Sequence, residues 1–242
     1  MNPRSSGEGF APPSGGMEGL RAVSIPASDT LMAGASAVDA AAKKSDWRDR
    51  LPILRSGKIT LRELQSSDAQ ALWAFINSTE VTKFLSTPPT TVDAFERFIT
   101  WTQQQRAAGT QAAFAVVVEG FDTPVGLFQL RQLEPGFGTA EWGFAIGSAF
   151  WGTGVFQASA ELMLEFIFDT LGTHRLEARA AVKNGRGTGA LRKMGAVQEG
   201  ILRKSFLRDG RYLDQALYAI LEDDWRASRE TKTTSVYAPH IH

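Results

Sequence analysis

Apolar and polar residues alternate with a period of two along Ile59-Thr60-Leu61-Arg62-Glu63-Leu64, the pattern of a half-buried strand. The period then lengthens. Ser67, with Gln70 three residues on, fits a capping box and predicts a helix through Leu72, Trp73, Phe75 and Ile76. A short run from Val81 to Leu85 and the pair Pro88-Pro89 follow. A second helix is predicted to start near Thr90, with Asp93 in its first turn, and to carry Phe95, Phe98, Ile99 and Trp101 as far as Gly109.

The next stretch is rich in β formers. Phe114 to Val118 ends at a Gly-Phe-Asp-Thr-Pro turn, Val125 to Leu133 follows, and Pro135-Gly136-Phe137-Gly138 turns the chain into Ala140 to Ile146, which together predict an antiparallel meander. A long helix is expected from Val155 to Leu171, closed by Gly172. His174 to Val182 then alternates Leu176, Ala178 and Ala180 with Arg175, Glu177 and Arg179. A shorter helix from about Thr188 to Met194 precedes two last strands, Val197 to Phe206 and Tyr212 to Leu221, joined at Arg208-Asp209-Gly210, a hairpin signal. The order β-α-α-β-β-β-α-β-α-β-β suits one α/β sheet with helices on both faces and parallel pairing at the helix crossovers.

Composition narrows the function more than the fold. The chain has 242 residues, 26 Lys plus Arg against 26 Asp plus Glu, and no cysteine. The charge balance removes any global attraction to nucleic acid or an anionic membrane. The missing thiols exclude a disulfide scaffold, a cysteine nucleophile and thiolate metal sites. No apolar run is long enough to span a membrane and no secretory leader is evident, so a cytoplasmic protein is expected, with no nucleic-acid or membrane partner. Residues 1–50 read as a separate arm: Gly, Ala, Pro and Ser fill 26 of the 50 positions, and only Ala35 to Lys44 suggests a helix. Residues 51–226 form the expected domain and 227–242 a polar tail ending His240-Ile241-His242, too few ligands for a metal site.

The candidate chemistry centres on Trp151-Gly152-Thr153-Gly154-Val155-Phe156, where glycines meet a helix start. Such a junction lets backbone N–H groups converge on a pyrophosphate, although a plain turn accounts for the same residues. It matches neither a P-loop nor a dinucleotide fingerprint. Further motifs stand in order around it: Glu141-Trp142-Gly143-Phe144-Ala145-Ile146, His174-Arg175-Leu176-Glu177-Ala178, Asn184, Lys193-Met194-Gly195-Ala196, Glu199-Gly200 and Arg208-Asp209-Gly210. In these residues the chain resembles the GNAT superfamily, specifically its RimJ/RimL-like N-acetyltransferase branch (acetyltransferase type 3 domain), over roughly residues 57–226.

The resemblance implies a mixed, mostly antiparallel central sheet with a splayed strand pair and helices on both faces. It implies acetyl-CoA, or another short acyl-CoA, with the pantetheine arm along Phe144, Ala145 and Ile146 and the pyrophosphate on amides from Trp151, Gly152, Thr153, Gly154, Val155 and Phe156. Asn184 would bind near the pantetheine, cap the short helix, or do both. The pattern departs at Phe156, where the family has Gly or Ala, at Gln157-Ala158-Ser159, at Gly187, where it has a small hydroxyl residue, and at Leu191, where many members carry a tyrosine as general acid.

Acyl transfer to an amine needs a sink for the amine's proton. Glu141, at the edge of the implied acceptor cleft, is the candidate base or amine anchor. Glu177 and His174 are weaker candidates, and Tyr212 and Tyr218, which could reach the acceptor or the thiol, are expected to pack. Trp73, Phe75, Phe84 and Phe98 lie in the segments that roof the acceptor site in this family. The expected partner is an amine, either a protein N-terminus or a small molecule, and a homodimer is also compatible with the arm. The competing class is a non-catalytic acyl-CoA sensor of the same fold.

Overall fold

The computed structural model describes residues 46–85 and 88–236. The helix expected at Ala35 to Lys44 and the terminal histidine pair lie outside them. The strands are β1 (Leu54–Ser56), β2 (Ile59–Glu63), β3 (Gln111–Val118), β4 (Gly126–Gln132), β5 (Thr139–Ile146), β6 (Arg175–Ala181), β7 (Val197–Arg208) and β8 (Arg211–Leu221). The helices are α1 (Ala69–Ile76), α2 (Thr79–Thr82), α3 (Val92–Ala107), α4 (Val155–Glu165), α5 (Gly185–Lys193) and α6 (Glu222–Val236), with α4 widening into a π-helical turn, Phe166–Thr170.

All eight strands join one sheet in the order β1-β2-β3-β4-β5-β6-β8-β7. Every pairing is antiparallel except β5 with β6. Helices α1 and α3 bury Leu72, Ile76, Phe95 and Ile99 against Ala113, Ala115, Leu127 and Ala145 on one face. The other face carries the larger core, where Met163 and Leu164 of α4, Leu191 of α5 and Trp225 of α6 meet Phe114, Phe128, Trp142 and Tyr218. The mixed sheet with helices on both faces is therefore present.

Several local expectations shift. Helix α1 is not entered through Ser67: the Gln65 N–H donates to Asp68 at 2.8 Å, and Arg62 grips the same carboxylate through two bonds of 2.7 Å. A strand-borne arginine thus places the entry. Thr91, not Thr90, caps α3 by accepting from the Ala94 N–H. Helix α5 begins at Gly185 instead of Thr188, because Asn184 caps it there.

The second crossover also differs from a simple parallel pairing, since β8 inserts between β6 and β7. The apolar run Ala216-Leu217-Tyr218-Ala219-Ile220 suits an interior strand, whereas the Glu, Arg and Lys side chains of β7 suit an edge. Helix α6 runs through residues 227–236, which were expected to be tail. At the other end Trp47 packs edge-on against Phe137 and Leu51 is buried, so the packed body begins before residue 51.

Candidate active site

Strands β5 and β6 pair over only three positions, Thr139 with Arg175, Ala140 with Leu176 and Glu141 with Glu177, and then part. The separation makes a fork whose vertex is Glu141. β5 keeps its other partner throughout, from Ala140 opposite Gln132 to Ile146 opposite Gly126. The Leu133 N–H donates to the Thr139 carbonyl and the Gly147 N–H to the Val125 carbonyl, so odd-numbered peptide groups of β5 turn toward β4. Even-numbered ones turn toward the gap.

Of the three residues expected along the pantetheine arm, Phe144 therefore offers its peptide group to the fork, together with the Trp142 carbonyl, since the Trp142 N–H belongs to the last rung with Glu177. Ala145 is turned toward β4, and the Ile146 carbonyl accepts from the Trp151 indole at 2.9 Å. Free peptide groups at a strand edge suit an extended amide-bearing chain, which can continue the ladder.

Beyond β5 the loop turns at Gly152 and Gly154, whose φ values of +75° and +86° are left-handed. A Cβ at either position would touch nothing within 4 Å. Conformation, not crowding, selects glycine here, and the open space beside the first amides of α4 suits a bulky anion. Phe156 packs its ring on Phe144 at 4.5 Å and on Phe128 at 6.0 Å, so its bulk lies on the sheet. Across the mouth the Arg186 guanidinium of α5 sits 4.0 Å from the centre of the Trp151 ring. The Asn184 side chain accepts from the Gly187 N–H at 2.9 Å, and a Cβ at Gly187 would come within 2.5 Å of that amide. The missing hydroxyl at 187 is thus the counterpart of a tightly closed cap.

The vertex is dry and charged. Glu141 is 1% exposed; its Oε2 accepts from Arg131 of β4 at 2.5 Å and lies 3.7 Å from Arg179 of β6. Its Oε1 is buried and has no hydrogen-bond partner among the described residues. Burial pushes the Glu141 carboxyl above the ordinary carboxylate range, against the pull of Arg179 and Arg131. The row continues with Glu177, which accepts from Arg175 at 3.0 Å, and with Glu199 of β7, bonded to Arg175 at 2.5 and 2.8 Å. Ala219 of β8, opposite Glu177, leaves room for Arg175 to reach across.

The acetyltransferase (GNAT) domain model matches residues 58–197, more than half the chain. The chain belongs to this family. Among curated relatives, an uncharacterized N-acetyltransferase p20 of Bacillus licheniformis is 25% identical over 176 residues, covering 72% of this chain and 99% of the relative. A spermidine N(1)-acetyltransferase of Vibrio cholerae is 22% identical, covering 70% and 96%. Among solved structures, RimL, a ribosomal L7/L12 alpha-N-protein acetyltransferase crystallised with coenzyme A, is similar in fold with a TM-score of 0.65 at 18% identity, over 72% of this chain and 99% of that one.

The remaining candidates of this GNAT domain fall into place by packing. His174 is exposed, Tyr218 packs as expected with its hydroxyl donating to Gln198, Tyr212 is exposed and does not pack as expected because it lies near the open tip of the β7–β8 hairpin, and Leu191 is core. Trp73 is half exposed and donates to the Thr90 carbonyl, while Phe98 is core. Among the described residues no helix is long and apolar enough to cross a membrane, and no cluster of His, Asp or Glu could hold a metal ion. Sequence reasoning missed Arg131. A signal existed: Arg131 and Glu141 stand five residues to either side of Gly136 in a hairpin, which places opposite charges face to face.

Proposed function

We propose that the protein is an N-acyltransferase of the RimJ/RimL-like kind, moving acetyl or another short acyl group from its CoA thioester to a primary amine by direct attack in a ternary complex. The observation that carries this reading is the fork itself. Its vertex holds a buried carboxylate with one oxygen unpartnered among the described residues, and its β5 arm offers free peptide groups beside a glycine loop at a helix start. Acyl-CoA supplies the activated carbonyl. The Trp142 carbonyl and the Phe144 peptide group hold and orient the pantetheine arm, and the amides from Gly152 to Phe156 face the pyrophosphate. As the neutral amine's nitrogen bonds to the carbonyl carbon and the C–S bond breaks with its electron pair leaving on sulfur as CoA thiolate, Glu141 Oε1 takes the amine's proton. Burial raises its pKa, which makes it a stronger base than an exposed carboxylate. The acceptor is the N-terminus of a protein or a small-molecule amine.

The test has two arms. Acetyl-CoA or CoA, but not NAD or ATP, should raise the thermal midpoint. Glu141→Gln should lower kcat about 10²-fold or more with CoA affinity unchanged by calorimetry. Wild-type turnover in that variant would overturn the role of Glu141. CoA binding without turnover by the wild-type protein, across amines and peptides, would favour the sensor.

A further inference from the structure

Glu141 receives one hydrogen bond among the described residues, from Arg131. The two are direct cross-strand partners, Arg131 on β4 and Glu141 on β5, and both side chains are largely buried. Arg179 stands farther away at 3.7 Å and is shared with Glu177, 3.9 Å from it. Glu177 is in turn bonded to Arg175. The charged groups acting on the Glu141 carboxyl are thus Arg131 from β4 and Arg179 and Glu177 from β6.

These contacts divide the carboxylate. One oxygen, Oε2, faces both cations; the other, Oε1, is buried with no partner among the described residues. A buried acceptor without a donor costs free energy, so the arrangement is tolerable where a donor arrives during function. An unbridged carboxylate would rotate and expose either oxygen.

We infer that Arg131 is a positioning residue for acyl transfer, tying down Oε2 of Glu141 so that Oε1 alone is left to take the amine's proton. Arg131 touches neither reactant; it acts through Glu141. The inference rests on the reading of Glu141 as the proton acceptor. It has a consequence that packing alone does not produce. Removing the cation raises the Glu141 pKa, and a base must be ionised to work, so the acidic limb of turnover moves to higher pH.

Full-length wild type, Arg131→Gln, Arg131→Lys and Glu141→Gln are compared by release of CoA thiol from acetyl-CoA, with a short peptide bearing a free N-terminus and a primary alkylamine as acceptors. The Glu141 carboxyl is titrated in parallel by carbon-13 NMR, which needs no acceptor. In Arg131→Gln both the acidic limb and the NMR midpoint should rise by about one to three pH units, with CoA affinity unchanged. Arg131→Lys should restore the wild-type limb and midpoint with a lower kcat, since the ammonium lacks the reach and planarity of the guanidinium. A folded Arg131→Gln with wild-type limb and midpoint overturns the inference. If that variant does not fold, wild-type kcat in Arg131→Lys overturns it. Wild-type turnover in Glu141→Gln removes the underlying role of Glu141, whereas slow Glu141→Gln beside an unshifted Arg131→Gln removes only that of Arg131.

Discussion

The two arms of the fork are built differently. In the arm from β1 to β5, the interior strands β3 and β4 are covered on both faces, by α1 and α3 on one side and by α4 on the other. In the arm of β6, β8 and β7, the edge strand is mostly exposed, and Val197, Ile201, Leu207 and Tyr212 reach solvent. Bulges interrupt the β7–β8 ladder between Gln198 and Gly200 and between Leu202 and Phe206. The first arm is a rigid platform for the carboxylate at the vertex. In the second, β6 and β8 are packed into the core through Leu176, Ala178, Tyr218 and Ile220, and only the edge strand β7 is held with little burial.

The largest effect that tests this contrast is in the cores. Phe114→Ala removes a fully buried ring that packs on Phe166, and should cost about 3–5 kcal/mol in urea unfolding. Leu207→Ala, on the exposed arm, should stay within about 0.5 kcal/mol. An equally large loss at Leu207 would mean that this arm is covered in solution.

A middle-sized effect is expected where the first arm ends. Gly154→Ala meets no neighbouring atom but must hold φ near +86°, so it should cost about 1–2 kcal/mol and weaken CoA binding as the loop relaxes. Unchanged stability and CoA affinity would take this turn out of the site.

The smallest effect concerns the ion pair on the second arm. Arg175 holds the Glu199 carboxyl below its ordinary range. A lowered folded pKa gives stability that is present above the unfolded carboxylate value and is lost as pH falls through the folded one. Glu199→Gln should therefore cost less than about 1 kcal/mol at neutral pH in low salt, with the difference vanishing in acid. A loss that persists in acid would point to packing as its cause.

Much of this architecture was legible along the chain. Period-two alternation located β2 and β6, β-forming runs and turn residues located the other long strands, and glycines at 109, 172 and 195 marked helix ends, because these are local properties of backbone and burial. The short strand β1 and helix α2 were not visible, being too brief for a periodic signal. Helix α6 was hidden by its polar composition; its Trp225 earns a place in the core only by meeting Phe168 at 5.0 Å.

The sequence by itself determined the order of the longer elements from β2 to β8, the absence of thiol chemistry and the glycine turn before α4, and through its family resemblance it pointed to Glu141. Tertiary structure decided the insertion of β8, the entry to α1 through Arg62 and Asp68, and the state of Glu141. It is not a carboxylate at the rim of an open cleft but a buried one with a bridged oxygen and a free one. The reason is range: turns and caps are set by neighbours in the chain, whereas the charge and accessibility of a side chain depend on which strand lies beside it and how much water the packing leaves.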